Sequence, residues 1–208
     1  MTYLKDDCFS KSQPQSPFWS EGEMKGTVES KLTYRGATLT RYVSRDDLPF
    51  EDANQLLIEH GTLMHSRMVG GGGPSFDIML HINGFWEKFD HVLPPVGSFY
   101  LAWSNEGRLL GTGALRTVSP GVGEMKHLFV RSEARGMGLG RALVEARIAD
   151  ARAMGIKTLL ADTFAANTEM PALYDQMGFE RVAPFDVGGT MGISPELAAH
   201  MLFYRKAL

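Results

Sequence analysis

The chain has 208 residues, 44% hydrophobic and 22% charged, with a formal net charge of -3. That is ordinary globular composition, long enough for one large domain or a domain with an extension, and it excludes disordered and fibrous classes. The acidic balance argues against nucleic acid as a partner, and the single cysteine, Cys8, excludes an intramolecular disulfide.

Residues 1–35 read as an N-terminal arm, rich in Ser, Pro, Gln and charge around Phe18 and Trp19, and residues 36–208 as the folded domain. The arm lacks the apolar core of a signal peptide. No uninterrupted apolar run approaches the ~20 residues of a membrane span. The expectation is a cytoplasmic protein with no membrane partner. His60 and His65 lack the HExxH pattern, no Cys/His cluster has zinc spacing, and no metal is expected.

"ATLTRYV", residues 37–43, alternates and is rich in Thr and Val, which predicts a strand. "SRDDLPFEDANQLLIEHG" predicts a helix capped by Asp46 or Asp47, with Leu56 and Leu57 facing inward. "VGGGGPSFD", 69–77, is a loop. A second helix follows, capped by Ser75 and running toward Phe89, with Asn83-Gly84 as an interruption. "SFYLAWS" and "RLLGTGALRTV" form an antiparallel pair joined at "NEG". "GEMKHLFV", 123–130, is the next strand. A glycine cluster leads from it into a helix ending near Met154, whose apolar stripe is Leu139, Ala142, Leu143, Ala146, Ala149 and Ala153. "KTLLADT" is a short buried strand. "NTEMPALYDQMG" is a helix with Asn167 or Thr168 as cap, Pro171 in its first turn and Gly178 past its end. "FERVAPF" and "MLFYRKAL" are closing strands. This order implies an α/β fold, a mixed sheet with helices on both faces.

The glycine cluster "VRSEARGMGLGRAL", 130–143, narrows the function. A dinucleotide fingerprint needs G-x-G-x-x-G. Counting from Gly136 or Gly138, the sixth position is Arg141 or Leu143, so the fingerprint fails. A phosphate loop of the Walker type needs Lys-Ser/Thr after the last glycine, which is absent. What remains is a strand-loop-helix anion site, where amides at a helix N-terminus and the helix dipole face a diphosphate. Arg131, Arg135 and Arg141 add charge nearby.

These residues carry a family resemblance. Arg135-Gly136-Met137-Gly138-Leu139-Gly140 resembles the R/Q-x-x-G-x-G/A motif of the GNAT superfamily of N-acetyltransferases, and it lies between a strand and a long helix, as in that family. "NTEMPALYDQMGF" resembles the family's N-x6-Y-x3-GF segment, with Asn167, Tyr174, Gly178 and Phe179 in register. The resemblance spans roughly residues 36–207.

The resemblance implies a mostly antiparallel central sheet in which two parallel strands, 123–130 and 158–163, splay apart to admit acetyl-CoA as cosubstrate. It implies cofactor contacts at Leu128, Phe129 and Val130 through their main chains, with a freed N–H near Leu128 facing the thioester oxygen. Arg135, Gly136, Met137, Gly138, Leu139, Gly140, Arg141 and Asn167 are further implied cofactor contacts, with the diphosphate on the amides from Gly136 to Gly140 and Arg141. Tyr174 matches the general acid. Glu124 is the expected base, on one strand face with Lys126 and Leu128; His127, expected on the opposite face, is the reserve. The acceptor is expected to be the amine of a small or amino-acid-like molecule, held by residues 61–97 with His65, Phe76, His81, Phe85 and Trp86, plus Tyr100 and Trp103. A non-catalytic acyl-CoA-binding module, a protein-lysine acetyltransferase and a homodimer stay open.

Overall fold

A computed structural model of the chain describes residues 28–187 and 195–208. Most of the arm, Phe18 and Trp19 included, lies outside the described residues. Its end does not: β1 (Val28–Tyr34) pairs antiparallel with β2 (Ala37–Tyr42), so the sheet begins before residue 36. Then come α1 (Phe50–Gly70), α2 (Ile78–Glu87), β3 (Gly97–Ser104), β4 (Leu109–Ser119) and β5 (Val122–Val130). The chain continues through α3 (Leu139–Ala153), β6 (Thr158–Phe164), α4 (Glu169–Gln176), β7 (Glu180–Val182) and β8 (Met201–Ala207). The eight strands form one sheet in the order β1-β2-β3-β4-β5-β6-β8-β7. Every neighbouring pair is antiparallel except β5 and β6, which are parallel.

Both faces are covered, as the near-continuous apolar run of β3 requires. Phe99, Leu101, Ala114 and Phe129 pack under α1 and α2 with Leu56, Leu57, Ile82 and Trp86. On the other face Tyr100, Ala102 and Leu110 meet Leu139, Ala142 and Leu143 of α3, and Leu115 and Met125 meet Val144, Ile148 and Tyr174.

Local departures from the sequence reading have local causes. α1 runs on to Gly70 and starts after Pro49, with no side-chain cap from either aspartate. α2 is capped by Asp77, which accepts from the Leu80 amide at 3.0 Å, and it passes through Asn83-Gly84 unbroken. Ala149 and Ala153 face solvent; the buried stripe of α3 instead takes in Val144, Arg147, Ile148 and Ala151. β7 holds only three residues because it forms the sheet edge beyond β8.

Candidate active site

Two irregularities in β5 build the site. The first is a bulge. Thr112 faces Phe129 and Ala114 faces Lys126, so Gly113 alone stands opposite both His127 and Leu128. His127 absorbs the extra residue at φ 53, and the strict in-out alternation of the strand is lost there. The second is a splay. The parallel ladder runs from Val122↔Thr158 to Met125↔Ala161 and stops, while β5 continues to Val130 and β6 to Phe164. Past that point the inward-facing backbone groups of both strands have no ladder partner and are available to a ligand.

One side of the opening is a cleft of about 400 Å³ lined by Leu128, Phe129, Val130, Arg135, Gly136, Gly138, Leu139, Gly140, Arg141 and Asn167 among others. α3 begins at Gly138, which sits at φ 84 and offers no side-chain cap. The first amides of α3 therefore open onto the cleft with the positive end of the helix dipole behind them, a chemistry that fits a diphosphate. A Cβ on Gly138 would come within 2.5 Å of the Tyr34 hydroxyl from β1. Arg67 at the end of α1 grips Glu169 with two nitrogens, at 2.6 and 2.7 Å. Arg135 reaches the same carboxylate at 3.3 Å and the Val130 carbonyl at 3.0 Å. The Arg67 hydrogen bonds hold Glu169 down at a pKa of about 2. Arg141 rests on Glu145 at 2.9 Å. Asn167 donates to Thr163 Oγ1 at 3.2 Å and accepts from Arg67 at 3.0 Å, which fixes its side chain at the cleft wall. Met137 is exposed.

The other side is a smaller cavity of about 130 Å³. Its polar lining is His60, His81, Lys126, His127, Asp162, Thr163, Asn167 and Tyr174; Leu57, Met64, Phe76, Ile78 and Ile82 supply apolar wall. His60, Met64, Leu128, Asn167 and Met170 line cleft and cavity alike, so the two meet at the splay. Lys126 and Asp162, the first residues past the end of the ladder, pair at 3.1 Å. Burial works against the Lys126 charge, but Asp162 and Glu124 more than offset it and raise its pKa. The imidazoles respond in the opposite sense. Burial, reinforced by Lys126, takes His60 down to about 4. Burial with Lys126 also lowers His81, and burial with His60 and Lys126 lowers His127 well below the usual histidine range. His60 and His127 are half-buried and both line this cavity. All three rings are neutral near pH 7.

Tyr174 lines the cavity and is otherwise enclosed, 2% exposed, with Phe179 and Tyr204 rings 4.8 and 5.0 Å from its own. Burial raises its phenol pKa further above neutrality. Tyr174, Leu128 and Asn167 thus line one cavity.

Glu124 does not join them. It is fully buried, its Oε2 accepts from Arg116 at 2.7 Å, and its Oε1 lies 3.5 Å from Lys126 Nζ. It stands behind Lys126, off the cavity wall, in a position to hold that lysine rather than to meet an acceptor. His127 was expected on the face opposite Lys126 and Leu128. The bulge instead carries it into the same cavity as both. Among the proposed acceptor contacts, Phe76 and His81 line the cavity. Phe85 touches His127 at 4.3 Å between ring centroids. Trp86 packs in the core with its indole bonded to Asn54 at 2.8 Å, and Tyr100 packs on the α3 face. His65 pairs with Ser75 at 2.9 Å. Sequence reasoning gave no site role to His60, Lys126 or Asp162, because nothing in local spacing brings them together. Only strand register places Lys126 beside Asp162. Among the described residues no group of His, Cys, Asp and Glu could hold a metal ion, and no helix is long and apolar enough to cross a membrane.

A parallel strand pair that splays beside an uncapped, glycine-led helix makes an open cleft suited to a diphosphate-bearing ligand. The pattern of the Acetyltransferase (GNAT) family matches residues 74–179, about half of the chain, and the protein belongs to that family, whose members generally use acetyl-CoA. Among curated relatives, a mycothiol acetyltransferase of Geodermatophilus obscurus is 38% identical over 95 residues, covering 43% of this chain and 30% of its own. An IAA acetyltransferase of Azospirillum brasilense is 37% identical over 87 residues, covering 41% and 57%. The chain therefore spans between about a third and just over half the length of these relatives. In fold it is similar to an acetyltransferase from Streptococcus agalactiae 2603, with TM-score 0.64 and 20% identity over 84% of this chain and 100% of that one.

Proposed function

We propose that the protein is an acetyl-CoA-dependent N-acetyltransferase that acts on the primary amine of a small or amino-acid-like acceptor by direct transfer. The observation that carries this reading is the meeting of the glycine-led cleft and the Tyr174 cavity at the splay, with Leu128 on both. The Leu128 amide sits on the bulge where a thioester oxygen would need a donor; removing one such donor typically costs about 2.7–4 kcal/mol of barrier. Tyr174 keeps its proton at neutral pH and supplies it to the leaving thiolate. His127 is neutral and accepts a proton from the attacking amine. The cavity of about 130 Å³ is close to the ~150 Å³ that encloses a benzene. It admits a small acceptor, or only the amine-bearing end of a larger one.

The test is acetyl-CoA-dependent thiol release across a panel of small amines, amino acids and lysine peptides. Release with small amines or amino acids supports the reading. Release with peptides alone overturns the small-acceptor assignment. Tight acetyl-CoA binding with no release from any acceptor overturns the enzymatic one.

A further inference from the structure

The buried stripe of α3 is interrupted by one charged side chain. Arg147 is 0% exposed and lies among Leu143, Val144, Ile148 and Ala151, all buried. Burying a guanidinium in such a stripe costs stability that a leucine would not. Desolvation lowers its pKa to about 10, so it remains a cation at neutral pH. Its hydrogen bonds indicate what it does there. Nε donates to the Leu143 carbonyl of its own helix at 2.9 Å. Nη1 donates across to the sheet, to the Ala114 carbonyl at 3.0 Å and the Lys126 carbonyl at 3.4 Å.

Ala114 and Lys126 are the facing residues at one boundary of the β4–β5 bulge. The residue between Thr112 and Ala114 is Gly113, and a Cβ there would stand 2.9 Å from Arg147 Nε and 3.0 Å from its Cζ. The strand thus leaves room for the guanidinium at the position where it leaves the ladder. Bulges strip backbone groups of ladder partners, and Arg147 partners two carbonyls at the edge of this one. Immediately beyond it lie His127, at φ 53, and Leu128. The same helix begins at Gly138, in the cleft proposed for the diphosphate. At 1.5 Å rise per residue, the first turn and Arg147 are roughly 10 Å apart. One rigid element therefore touches both ends of the site.

We infer that Arg147 is a positioning residue: it clamps the β5 bulge to α3 and thereby sets the Leu128 amide and the His127 ring relative to the diphosphate cradle. Its hydrogen bonds go to backbone carbonyls and none to Tyr174, although its charge is near enough to favour ionisation of that phenol. The inference rests on the acetyltransferase reading for its kinetic consequence, but not for its structural one.

Two measurements on the full chain separate them. Arg147→Met keeps an unbranched apolar stem, two atoms shorter, and removes the donors; Arg147→Lys keeps one cationic donor group. Amide hydrogen exchange should speed up at residues 127–129 in Arg147→Met and stay unchanged at residues 139–142. Acetyl-CoA affinity by calorimetry should shift less than about threefold, while kcat falls about tenfold to a hundredfold, as expected for a misplaced rather than a missing group. Arg147→Lys should recover part of both losses. Wild-type exchange at 127–129 in folded Arg147→Met overturns the clamp, and so does a matched loss at both ends of α3. Should Arg147→Met fail to fold, Arg147→Lys decides: exchange and kcat both equal to wild type overturn the inference. If the wild type neither binds nor turns over acetyl-CoA, the functional reading fails while the exchange experiment still judges the clamp.

Discussion

Tyr174 and His127 differ in how firmly their environment assigns them a task. The phenol of Tyr174 is buried between Phe179 and Tyr204, and burial raises its pKa. A group so placed can only donate near neutrality. Tyr174→Phe removes the donor and leaves the ring, so kcat should fall by about 10²–10⁴ with acetyl-CoA affinity unchanged. Calorimetry beside steady-state kinetics checks this, and wild-type turnover would remove Tyr174 as the acid. His127 is a neutral acceptor held low by burial, His60 and Lys126. A ring held this low cannot strip an ammonium ion beforehand; it takes the proton once the amine nitrogen has bonded to the thioester carbon and become far more acidic. His127→Asn should therefore lower kcat by about 10²–10⁴ at every pH where the wild type turns over, with acetyl-CoA affinity unchanged. Wild-type turnover would assign the proton elsewhere.

The α3 N-terminus separates two kinds of glycine. Gly138 sits in the left-handed region, and a Cβ there would press on the Tyr34 hydroxyl. Gly138→Ala therefore carries a conformational cost of about 1–2 kcal/mol besides any loss of cofactor binding. Gly140 is different: its nearest neighbours to an added Cβ are Leu173 and Val130 at 3.7 and 3.8 Å, ordinary contact distances. Gly140→Ala should keep both the melting temperature and acetyl-CoA affinity, measured by thermal unfolding and calorimetry. A large drop in either would mean that the cleft is tighter than the structure has it.

The elements also mark where sequence stopped being sufficient. Strand and helix order from β2 onward and the glycine motif are local or motif-based, so they were readable; β1 was taken into the arm. The splay was expected at the strands where it occurs, through the family resemblance. The bulge was not, because a two-for-one mismatch between β4 and β5 leaves no mark on either strand alone. That one omission put His127 on the wrong face. The pairing of Glu124 was not legible for a related reason. Alternation assigned it a face, but Arg116 lies opposite it across the β4–β5 pair and takes its carboxylate.

At the scale of the molecule, the site has a thermodynamic signature that needs no acceptor. His60 has a native pKa of about 4 against an ordinary value of 6.5, and His81 and His127 are displaced in the same direction. An unfolded chain binds protons below pH 6.5 that the native cavity refuses. The stabilisation is therefore fully present above that value and is lost as pH falls from 6.5 through 4. Each such imidazole contributes a slope on the order of 1 kcal/mol per pH unit within its window. The depressed carboxylate of Glu169 acts lower, between 4.5 and about 2, so the two effects separate. Urea unfolding at steps between pH 7.5 and 4.5 should show stability falling as the medium acidifies, and His60→Gln should flatten that fall. A profile level down to pH 5 would mean that water enters the cavity freely enough to let the rings titrate normally. Saturating acetyl-CoA should add stability through native-state binding, by about 2.7 kcal/mol at a hundredfold excess over Kd. Because the glycine-led cleft and the histidine cavity meet at Leu128, His60 and Asn167, bound acetyl-CoA should carry the acid loss to lower pH without steepening it, since each imidazole's slope is limited to one proton. A ligand that further excludes water from the splay raises the cost of charging the imidazoles beside it. A loss that ends at the same pH with and without acetyl-CoA would show that the two compartments do not communicate.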